Sequence, residues 1–534
     1  FRNPVKRGQI IAIASIIPKV VIVGQVDTIT RGDMLATLGI KEIQGKEDPT
    51  TIMTNTVITI NPLAEIKVDD PRPTPVVSPI DPQSPVFIPK DEIIEMALNM
   101  PKEGVTIGNV FSGFDKIGAR VILDENTLRH HVLVIGTTGS GKTTLLKSII
   151  YDRGIPKQSI VFDRQGDFVR FAIEKGLEGY VIVPMTKQLL EIYGSFEDMI
   201  AERYGEGNLT FYPYSIKFST VFKTFNQITP YMSEQASMMW EAIYNRFKAN
   251  LYQTVKELVG KSEQLVNKLF GLVLDNMTLG NLIDEPLIIN EETDKQSKTV
   301  SRRVQHGNQT STYLFAKKDS NYTFYLYDIL KYVMKEDLDI HSSTESNINR
   351  LLRSLNDFGI FDVPDTIHEL GEEVLNSELV IVDLSFLLES TESTDPLSIV
   401  VYKLLNEVYN FKDRWYKKNQ KTFLTLLIMD EAHEFFPQAK GDVSKTTIER
   451  MINRILRLGR VRGLGAILAT HMPDDLNELI LQLTNTKIIM RNNRDVLEKM
   501  GAEDYADLLI SAPPGLALVK SIRFNDVLMQ TNLP

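Results

Sequence analysis

The chain of 534 residues contains no cysteine, so disulfides, thiolate metal sites and cysteine nucleophiles are excluded. This absence suits an intracellular protein, and we expect a cytoplasmic location. Long apolar runs are also missing: none approaches the roughly 18 residues that a membrane-spanning helix needs. No secretory signal is visible. We therefore expect no membrane partner.

An excess of positive charge is missing as well. The chain carries 59 Lys and Arg against 69 Asp and Glu, a formal net charge of -10. This balance argues against a broadly basic nucleic-acid binder, but it is compatible with a small basic surface such as the lining of a channel. The length predicts two to four domains.

The hydrophobic pattern changes several times along the chain. Short β-branched runs come first and predict a small barrel, and seven prolines between residues 71 and 89 then predict an extended spacer. Apolar strands that alternate with helices predict an α/β core with a parallel sheet buried on both faces. The predicted segments are an N-terminal β-barrel (1–70), a Pro-rich linker (71–95), the α/β core in two parts (96–195 and 346–510), a helical insertion between them (196–345), and a C-terminal strand and tail (511–534).

A glycine-rich loop carries the strongest motif. Residues 136–143 match G-x-x-x-x-G-K-[ST], with an apolar strand (Val132–Ile135) before them and a helix after them. Glycines let the backbone turn its N–H groups toward phosphates, and the helix N-terminus adds partial positive charge. Lys142 is expected to reach the β- and γ-phosphates, and the Thr143 hydroxyl to bind Mg²⁺, so the motif predicts ATP and Mg²⁺ as ligands. The predicted nucleotide-binding residues of this segment are Gly136, Thr138, Gly139, Ser140, Gly141, Lys142, Thr143 and Thr144.

Two strand ends carry acids. The apolar run 426–429 is followed by Asp430, which fits a Mg²⁺-holding role, and by Glu431, which fits polarisation of the attacking water. A solvated acidic loop is the alternative. Asp163 ends another strand and has two open interpretations: a further nucleotide-site group, or a cap of the following loop. Thr470 and His471 end a third strand, where a polar side chain can sense the γ-phosphate, or Thr470 can cap the next helix.

A basic segment lies between the strand end at Glu431 and the one at Thr470. At 100° per residue, Arg450, Arg454 and Arg457 share one face of a helix, opposite an apolar face that includes Ile448. A solvated face is the usual interpretation, but ring-forming ATPases place a subunit edge here. Arg457, or next Arg460 after the helix-ending Gly459, is therefore a candidate to reach a neighbour's γ-phosphate.

Within the insertion, residues 291–312 are polar and poor in apolar side chains. They predict a long loop or a disordered segment. Four basic side chains fall in it, and we interpret them as solvated rather than as DNA contacts: Lys295, Lys298, Arg302 and Arg303.

Together these residues resemble the HerA branch of the HerA–FtsK family of ring-shaped DNA-pumping ATPases. The segments that carry the resemblance are HHVLVIGTTGSGKT (130–143), DRQGD (163–167), DLS (383–385), LIMDEAHEF (427–435), and GRVRGLG (459–465) running into ATH (469–471). The N-terminal barrel is also similar to that branch.

The resemblance implies a RecA-like P-loop core in a homo-hexameric ring that translocates on double-stranded DNA. It also implies a NurA-type nuclease as partner in processing DNA double-strand breaks, and it suggests Arg129 as a cis-acting arginine. His471 stands where many relatives have glutamine. Two other functions stay open: a membrane-associated conjugation or secretion pump, and an ATP-switched clamp. Stimulation of ATP hydrolysis by linear duplex DNA would distinguish the first function from both.

Overall fold

The computed structural model describes residues 5–33, 54–205, 207–229, 232–260, 262–290, 298–390, 395–437 and 449–534. The strands in these ranges are β1 (Ile10–Ser15), β2 (Val20–Asp33), β3 (Thr54–Lys67), β4 (Asp70–Thr74), β5 (Val86–Phe87), β6 (Val105–Ser112), β7 (Asp115–Leu123), β8 (Val132–Ile135), β9 (Gln158–Asp163), β10 (Gly179–Pro184), β11 (Leu209–Tyr214), β12 (Leu287–Ile289), β13 (Lys298–His306), β14 (Gln309–Lys318), β15 (Tyr322–Phe324), β16 (Leu379–Asp383), β17 (Thr425–Met429), β18 (Leu464–Thr470), β19 (Thr486–Met490), β20 (Leu516–Ser521) and β21 (Val527–Thr531).

The described α-helices are Asp91–Ala97, Glu125–Arg129, Lys142–Tyr151, Asp167–Glu174, Lys187–Tyr193, Phe196–Arg203, Phe218–Val221, Phe225–Ile228, Glu234–Val259, Glu263–Asn276, Leu326–Tyr332, Ser342–Asp357, Glu372–Leu375, Ser385–Ser390, Asp395–Asn419, Ala432–Phe435, Glu478–Leu483, Arg494–Lys499 and Ala506–Ile510. Two segments are π-helical, Val333–Asp337 and Asn453–Leu458. The chain forms two compact units, of which the first comprises residues 1–156, 465–473 and 481–534, and the second comprises residues 157–464 and 474–480.

The first unit begins with an antiparallel sheet of order β4-β3-β2-β1-β5. Its β-branched strands bury one another, as Ile10, Ile11 and Ile22 show. Among the described residues, β4 and β5 lie at opposite edges of the sheet and do not pair with each other. The strands predicted before residue 70 are therefore present, but closure into a barrel is not confirmed.

The Pro-rich segment differs from the predicted spacer. Its prolines allow it to form only the two edge strands of this sheet, β4 and β5, where a missing N–H costs no ladder bond. Between these strands, the Asp81 carboxylate accepts hydrogen bonds from the Ser15 hydroxyl (2.8 Å) and the Ile17 N–H (2.9 Å). Residues 71–89 are thus bound to the N-terminal sheet.

The second sheet of the first unit positions the glycine-rich loop. Its order is β18-β8-β19-β20-β21-β6-β7, with β18, β8 and β19 parallel and the rest antiparallel. Strand β8 is fully buried, in agreement with its continuous apolar sequence. The loop that follows β8 therefore leaves the sheet at the carboxyl ends of the parallel strands, where α/β proteins bind ligands.

The second unit has a wholly parallel sheet of order β11-β10-β16-β9-β17. Strands β9, β16 and β17 are buried along their length. The first two end at an acid, Asp163 and Asp383, and the third is followed directly by Asp430. Because the strands are parallel, the acids of β9 and β16 lie side by side in register.

The insertion contains the long helices that the periodicity predicts. Glu234–Val259 begins at Ser233, whose hydroxyl accepts the Ala236 N–H. Its large buried apolar side chains follow at three- and four-residue steps and are Trp240, Ile243, Phe247, Leu251, Val255 and Leu258. The Trp240 indole N–H is satisfied by the Phe222 carbonyl at 2.8 Å, so the ring is buried without an unpaired donor.

The insertion also contains a sheet, which corrects the prediction of a helical insertion with a loop or disordered segment at 291–312. Strands β12-β15-β14-β13 form it, and residues 298–312 lie in the hairpin of β13 and β14 instead of in a loop. The signal was available, because the Gly-Asn pair at 307–308 is flanked by Val, Thr and Tyr. Lys295 and residues 291–297 lie outside the described residues.

Candidate active site

The glycine-rich loop adopts the backbone that its sequence predicts. Gly139 and Gly141 have φ of +72° and +105°, in the left-handed region where a side chain is strained. A Cβ on Gly141 would also lie 2.8 Å from the Gly515 nitrogen, and one on Gly136 would lie 2.4 Å from the Ser140 Oγ. The loop ends in the helix Lys142–Tyr151, whose first turn carries no acid to oppose a bound anion.

Distant parts of the first unit support this loop. The Arg491 carbonyl accepts the Thr137 N–H (2.9 Å), and the Ser140 carbonyl accepts the Gly515 N–H (2.8 Å). The Arg491 Nη2 lies 3.5 Å from the Thr138 carbonyl oxygen, which places a cation at the edge of the loop. The sequence did not single out Arg491 or Gly515, since no spacing relates them to a loop more than 350 residues earlier.

Lys142 is buried, and its ammonium group lies inside the loop. Its Nζ donates to the Gly136 carbonyl at 2.9 Å and lies 3.4 Å from the Thr137 carbonyl. These neutral carbonyls satisfy donors of the cation without neutralising its charge. The ammonium is therefore held at the loop as a positive charge, as a phosphate-binding lysine requires.

Thr470 is brought to the start of the same loop. Strand β18 pairs in parallel with β8, and the Thr470 carbonyl accepts the Gly136 N–H at 3.3 Å. The Thr470 hydroxyl accepts the Met472 N–H in a turn, and the next helix begins only at Glu478. The interpretation of Thr470 as a helix cap is thus wrong. His471 follows Thr470 in the turn, and the role of both residues in sensing the γ-phosphate stays a prediction.

The acids Asp430 and Glu431 follow β17 in the second unit. Asp430 Oδ1 accepts the Glu431 N–H at 3.0 Å. Glu431 has φ of +54° and ψ of +49°, a left-handed conformation that costs energy for a residue with a side chain. Its carboxylate lies 3.6 Å from the His433 Nδ1, so the turn presents a carboxylate and an imidazole together.

A partly buried ion pair fixes the short helix that follows Glu431. Arg164 Nη1 lies 2.6 Å from the Glu434 Oε1, and the two side chains are 27% and 20% exposed. Glu434 lies on the helix Ala432–Phe435, and Phe435 of that helix accepts the Tyr402 hydroxyl at its carbonyl (3.0 Å). The turn at Glu431 is thus anchored from two sides, by a loop after β9 and by the helix Asp395–Asn419.

Asp163 is bonded to its own loop. Its Oδ1 accepts the N–H groups of Gln165 and Gly166, and its Oδ2 accepts those of Phe168 and Val169, at 2.8–3.2 Å. These four bonds match the interpretation of Asp163 as a cap, and its role at a nucleotide stays a prediction. The local signal was the glycine three residues later, which has φ of +74°.

Asp163 and Asp383 form a buried acid pair at the ends of β9 and β16. Burial and the neighbouring Asp383 carboxylate raise the pKa of Asp163 to about 6, against the backbone N–H donors that lower it. Burial likewise raises the pKa of Asp383, although hydrogen bonds from Ser385 and from the Tyr204 hydroxyl (2.6 Å) oppose it. Because two neighbouring carboxylates of like charge disfavour the ionisation of both, one of these acids stays protonated to a higher pH than an isolated aspartate does.

The basic segment does not form the single stripe that 100° steps predict. After residue 452 the helix becomes π-helical, which changes the angle between successive side chains. Arg454 consequently turns inward, donating to the Asn406 amide oxygen (2.6 Å) above the Tyr409 ring (4.4 Å). Arg457 stays exposed, and Ile448 lies outside the described residues.

Two exposed arginines remain at the end of this segment. The side chains of Arg457 and Arg460 are exposed and form no ion pair with any residue that the structure describes. Their neighbours Leu458 and Val461 are apolar yet 52% and 53% exposed. By contrast, Arg462 is bound to Asp413 at 2.6 Å. The segment therefore presents two cations among apolar side chains.

Arg129, expected from the resemblance as a cis-acting arginine, lies on the helix Glu125–Arg129. Its guanidinium pairs with Glu125 one turn earlier (3.0 Å from Nε). Its nucleotide role stays a prediction. The adjoining His131 is buried, and its Nδ1 accepts the Ala466 N–H, which joins β8 to β18.

A family model described as "Helicase HerA, central domain" matches residues 105–408. The DNA double-strand break repair helicase HerA of Pyrococcus furiosus is 43% identical over 72 residues, which are 13% of this chain and 12% of that protein. The protein of the same name from Saccharolobus solfataricus is 27% identical over 201 residues, 35% of this chain and 39% of that one. The chain thus matches well under half of the length of these curated relatives.

Two solved structures align over most of the chain at low sequence identity. VirB4 of Thermoanaerobacter pseudethanolicus is 13% identical with a TM-score of 0.44, covering 81% of this chain and 97% of that one. The plasmid coupling protein TrwB, in complex with a non-hydrolysable GTP analogue, is 11% identical with a TM-score of 0.46, covering 82% and 92%.

Proposed function

The HerA central-domain model matches more than half of the length of the chain, so the chain belongs to the HerA helicase family. We propose that it is an ATP-driven translocase of double-stranded DNA. The observation that carries the proposal is the glycine-rich loop, with its two left-handed glycines and its buried lysine at a helix N-terminus. Such a loop binds a nucleoside triphosphate through backbone N–H groups, while the Lys142 ammonium contacts the β- and γ-phosphates.

Hydrolysis is assigned to the turn after β17. Glu431 is the proposed general base, which orients and deprotonates the water that attacks the γ-phosphate. The left-handed conformation at Glu431 and the partly buried Arg164–Glu434 pair support this role, because strain and anchoring by neighbouring groups are typical of a preorganised catalytic side chain. The His433 Nδ1 lies 3.6 Å from the Glu431 carboxylate.

Magnesium fits the donors that the sequence supplies. The Thr143 hydroxyl and the Asp430 carboxylate are hard oxygen ligands of the kind that Mg²⁺ prefers. When bound, the ion neutralises charge on the β- and γ-phosphates. Thr143 and Asp430 are the residues that would hold it, and Asp430 also fixes the Glu431 backbone through its 3.0 Å hydrogen bond.

The ring is supported by the exposed arginines. Arg457 and Arg460, flanked by the exposed Leu458 and Val461, have the character of an interface, since apolar side chains and arginine are enriched there. We propose that one of these arginines, Arg457 first, stabilises charge on the nucleotide of the next subunit in a homo-hexamer.

A nuclease partner is proposed from the resemblance to the HerA family. The two relatives of this chain are named for DNA double-strand break repair. In the first unit, the N-terminal sheet exposes apolar side chains at its turns, with Ile16, Ile17 and Val68 each at least 70% exposed. Exposed apolar groups of this kind mark interaction sites. We propose this end of the sheet as the surface that a NurA-type nuclease contacts.

The experiment that tests the function is ATP hydrolysis with and without linear duplex DNA. A translocase is expected to hydrolyse ATP severalfold faster when the duplex is present, and Glu431→Gln to remove both rates. A clamp would show slow hydrolysis that the duplex leaves unchanged, and that result would reject the proposal.

Among the described residues no helix combines the length and apolarity that crossing a bilayer requires.

A further inference from the structure

The hairpin of β13 and β14 projects from the insertion as a two-stranded ribbon. The strands pair from Lys298–Lys318 to His306–Gln309, and Gly307 (φ +57°) begins the two-residue turn. Strand β15 pairs with β14 only over residues 316–318. Within the described part of the chain, the rest of the hairpin has no further strand beside it, so its tip lies beyond the sheet.

The two faces of the ribbon differ. The inner face packs on helices, where Tyr313 and Phe315 contact the Tyr332 ring at centroid distances of 5.8 and 5.4 Å. Its basic side chains have acidic partners there: Arg302 pairs with Glu257 (3.0 Å), and the His306 Nε2 lies 2.8 Å from the Glu336 carboxylate. The inner face therefore explains how the hairpin packs against the helices.

The outer face has no such explanation. It carries hydrogen-bonding side chains that are all exposed, namely Ser301, Arg303, Gln305, Thr310 and Thr312. Arg303 lies opposite Thr312, and Gln305 lies opposite Thr310. Arg303 forms no ion pair with the residues that the structure describes. This face thus offers a cation, an amide and hydroxyl groups together.

The charge of the hairpin is opposite to that of the chain. Residues 298–318 contain five Lys or Arg and no Asp or Glu, within a protein of net charge -10. Two of these cations are paired, Arg302 with Glu257 and Lys317 with Asp319 (3.2 Å). Arg303 has no ion pair among the described residues, and such a cation can attract a polyanion even when the whole protein is negative. Arginine, glutamine, serine and threonine side chains are also the groups that donate hydrogen bonds to phosphate oxygens in protein–DNA complexes.

We propose that the outer face of this hairpin binds the sugar–phosphate backbone of duplex DNA. The inference rests on the proposed function, and it names the surface through which the insertion holds the translocated strand pair. A two-stranded β-ribbon is narrow enough to follow the major groove, so Arg303 reaches a phosphate while Gln305 and Thr310 contact the same backbone nearer the tip. If the charges served only to protect an edge strand from aggregation, they would not affect DNA binding.

The first test measures affinity of the full chain for a fluorescent linear duplex at several salt concentrations. Each lost phosphate contact lowers the slope of log K against log salt by about 0.9, so Arg303→Gln should bind severalfold more weakly with a slope reduced by about 1. Thr312→Glu, which places a negative charge opposite Arg303, should bind more weakly still. Lys223→Gln, which removes an exposed cation outside the hairpin, is the matched control and should bind as the wild type does.

The second test uses the absence of cysteine. Thr310→Cys creates a unique thiol for a photo-cross-linker, and Lys223→Cys carries the same reagent at the control position. Cross-links to duplex DNA from Thr310→Cys alone are expected. If the wild type binds duplex DNA while Arg303→Gln keeps its slope and Thr310→Cys gives no cross-link, the inference is overturned and the proposed function stands. If the wild type itself fails to bind duplex DNA, the proposed function fails first.

Discussion

Arg457→Ala is the substitution that most sharply separates a surface charge from a catalytic group. The Arg457 side chain is exposed and has no ion pair among the described residues, so its loss should change the stability of its own subunit by no more than about 0.5 kcal/mol. ATP affinity and ring assembly should therefore be unchanged. If the guanidinium stabilises charge on a neighbour's γ-phosphate, hydrolysis should fall by about 10³-fold or more, which is about 4 kcal/mol of transition-state stabilisation.

The assay combines two inactive proteins. In rings mixed equally from Arg457→Ala and Glu431→Gln subunits, about one quarter of the interfaces pair an intact Glu431 with a neighbour's intact Arg457. Hydrolysis should return to about that fraction of the wild-type rate, because only those interfaces are complete. Arg450→Ala is the matched control, since Arg450 is an exposed arginine at the start of the same segment, and it should hydrolyse ATP normally.

A cis-acting arginine would give no such recovery, because every subunit would carry one lesion. Absence of recovery in rings shown to contain both proteins would refute the assignment of Arg457. The same experiment with Arg460→Ala would then decide whether any arginine of this segment acts in trans.

Three further predictions follow from the packing and the charges. Lys142→Ala should lose ATP binding and hydrolysis together, whereas Glu431→Gln should keep binding, measured with a fluorescent nucleotide, and lose about 100-fold or more in turnover. The folded-state pKa of Asp163, about 6, lies above its unfolded value of 3.8. The contribution of protonated Asp163 to the free energy of unfolding is therefore fully present below pH 4 and is lost as pH rises through 6. The cost is up to about 3 kcal/mol, and Asp383→Asn, which removes the neighbouring charge, should show a smaller fall in Tm between pH 5 and pH 7 than the wild type; an equal fall would contradict the pairing. Trp240→Ala should destabilise the second unit by about 3–5 kcal/mol, seen as a lower Tm. An unchanged Tm would show that the Trp240 indole does not contribute to the packing of the core.

Local patterns in the sequence were sufficient where a short segment determines its own structure. The glycine-rich loop is an example, because two left-handed glycines between a buried strand and a helix allow few conformations. The long helix around Trp240 is another, since its apolar side chains recur at helical steps over 26 residues.

Prediction failed where the outcome depends on contacts with distant residues. Arg454 turns inward because the helix becomes π-helical and Tyr409 and Asn406 receive it, which 100° steps cannot foresee. The hairpin at 298–318 has a local turn signal at Gly307-Asn308, but its packing depends on Tyr332 and on two acids of other helices, which its own sequence does not indicate. Arg491 and Gly515 support the glycine-rich loop from far along the chain, and no spacing in the sequence indicates them.

The central claim is that ATP hydrolysis moves this protein along duplex DNA, and displacement of a third strand tests it most directly. A labelled oligonucleotide is bound as a triplex near one end of a linear duplex, and its release is followed after ATP and Mg²⁺ are added. The wild type should release the third strand at a rate that depends on its distance from the loading end, and Glu431→Gln should not release it. Hydrolysis of ATP stimulated by DNA without any release of the third strand would contradict the claim.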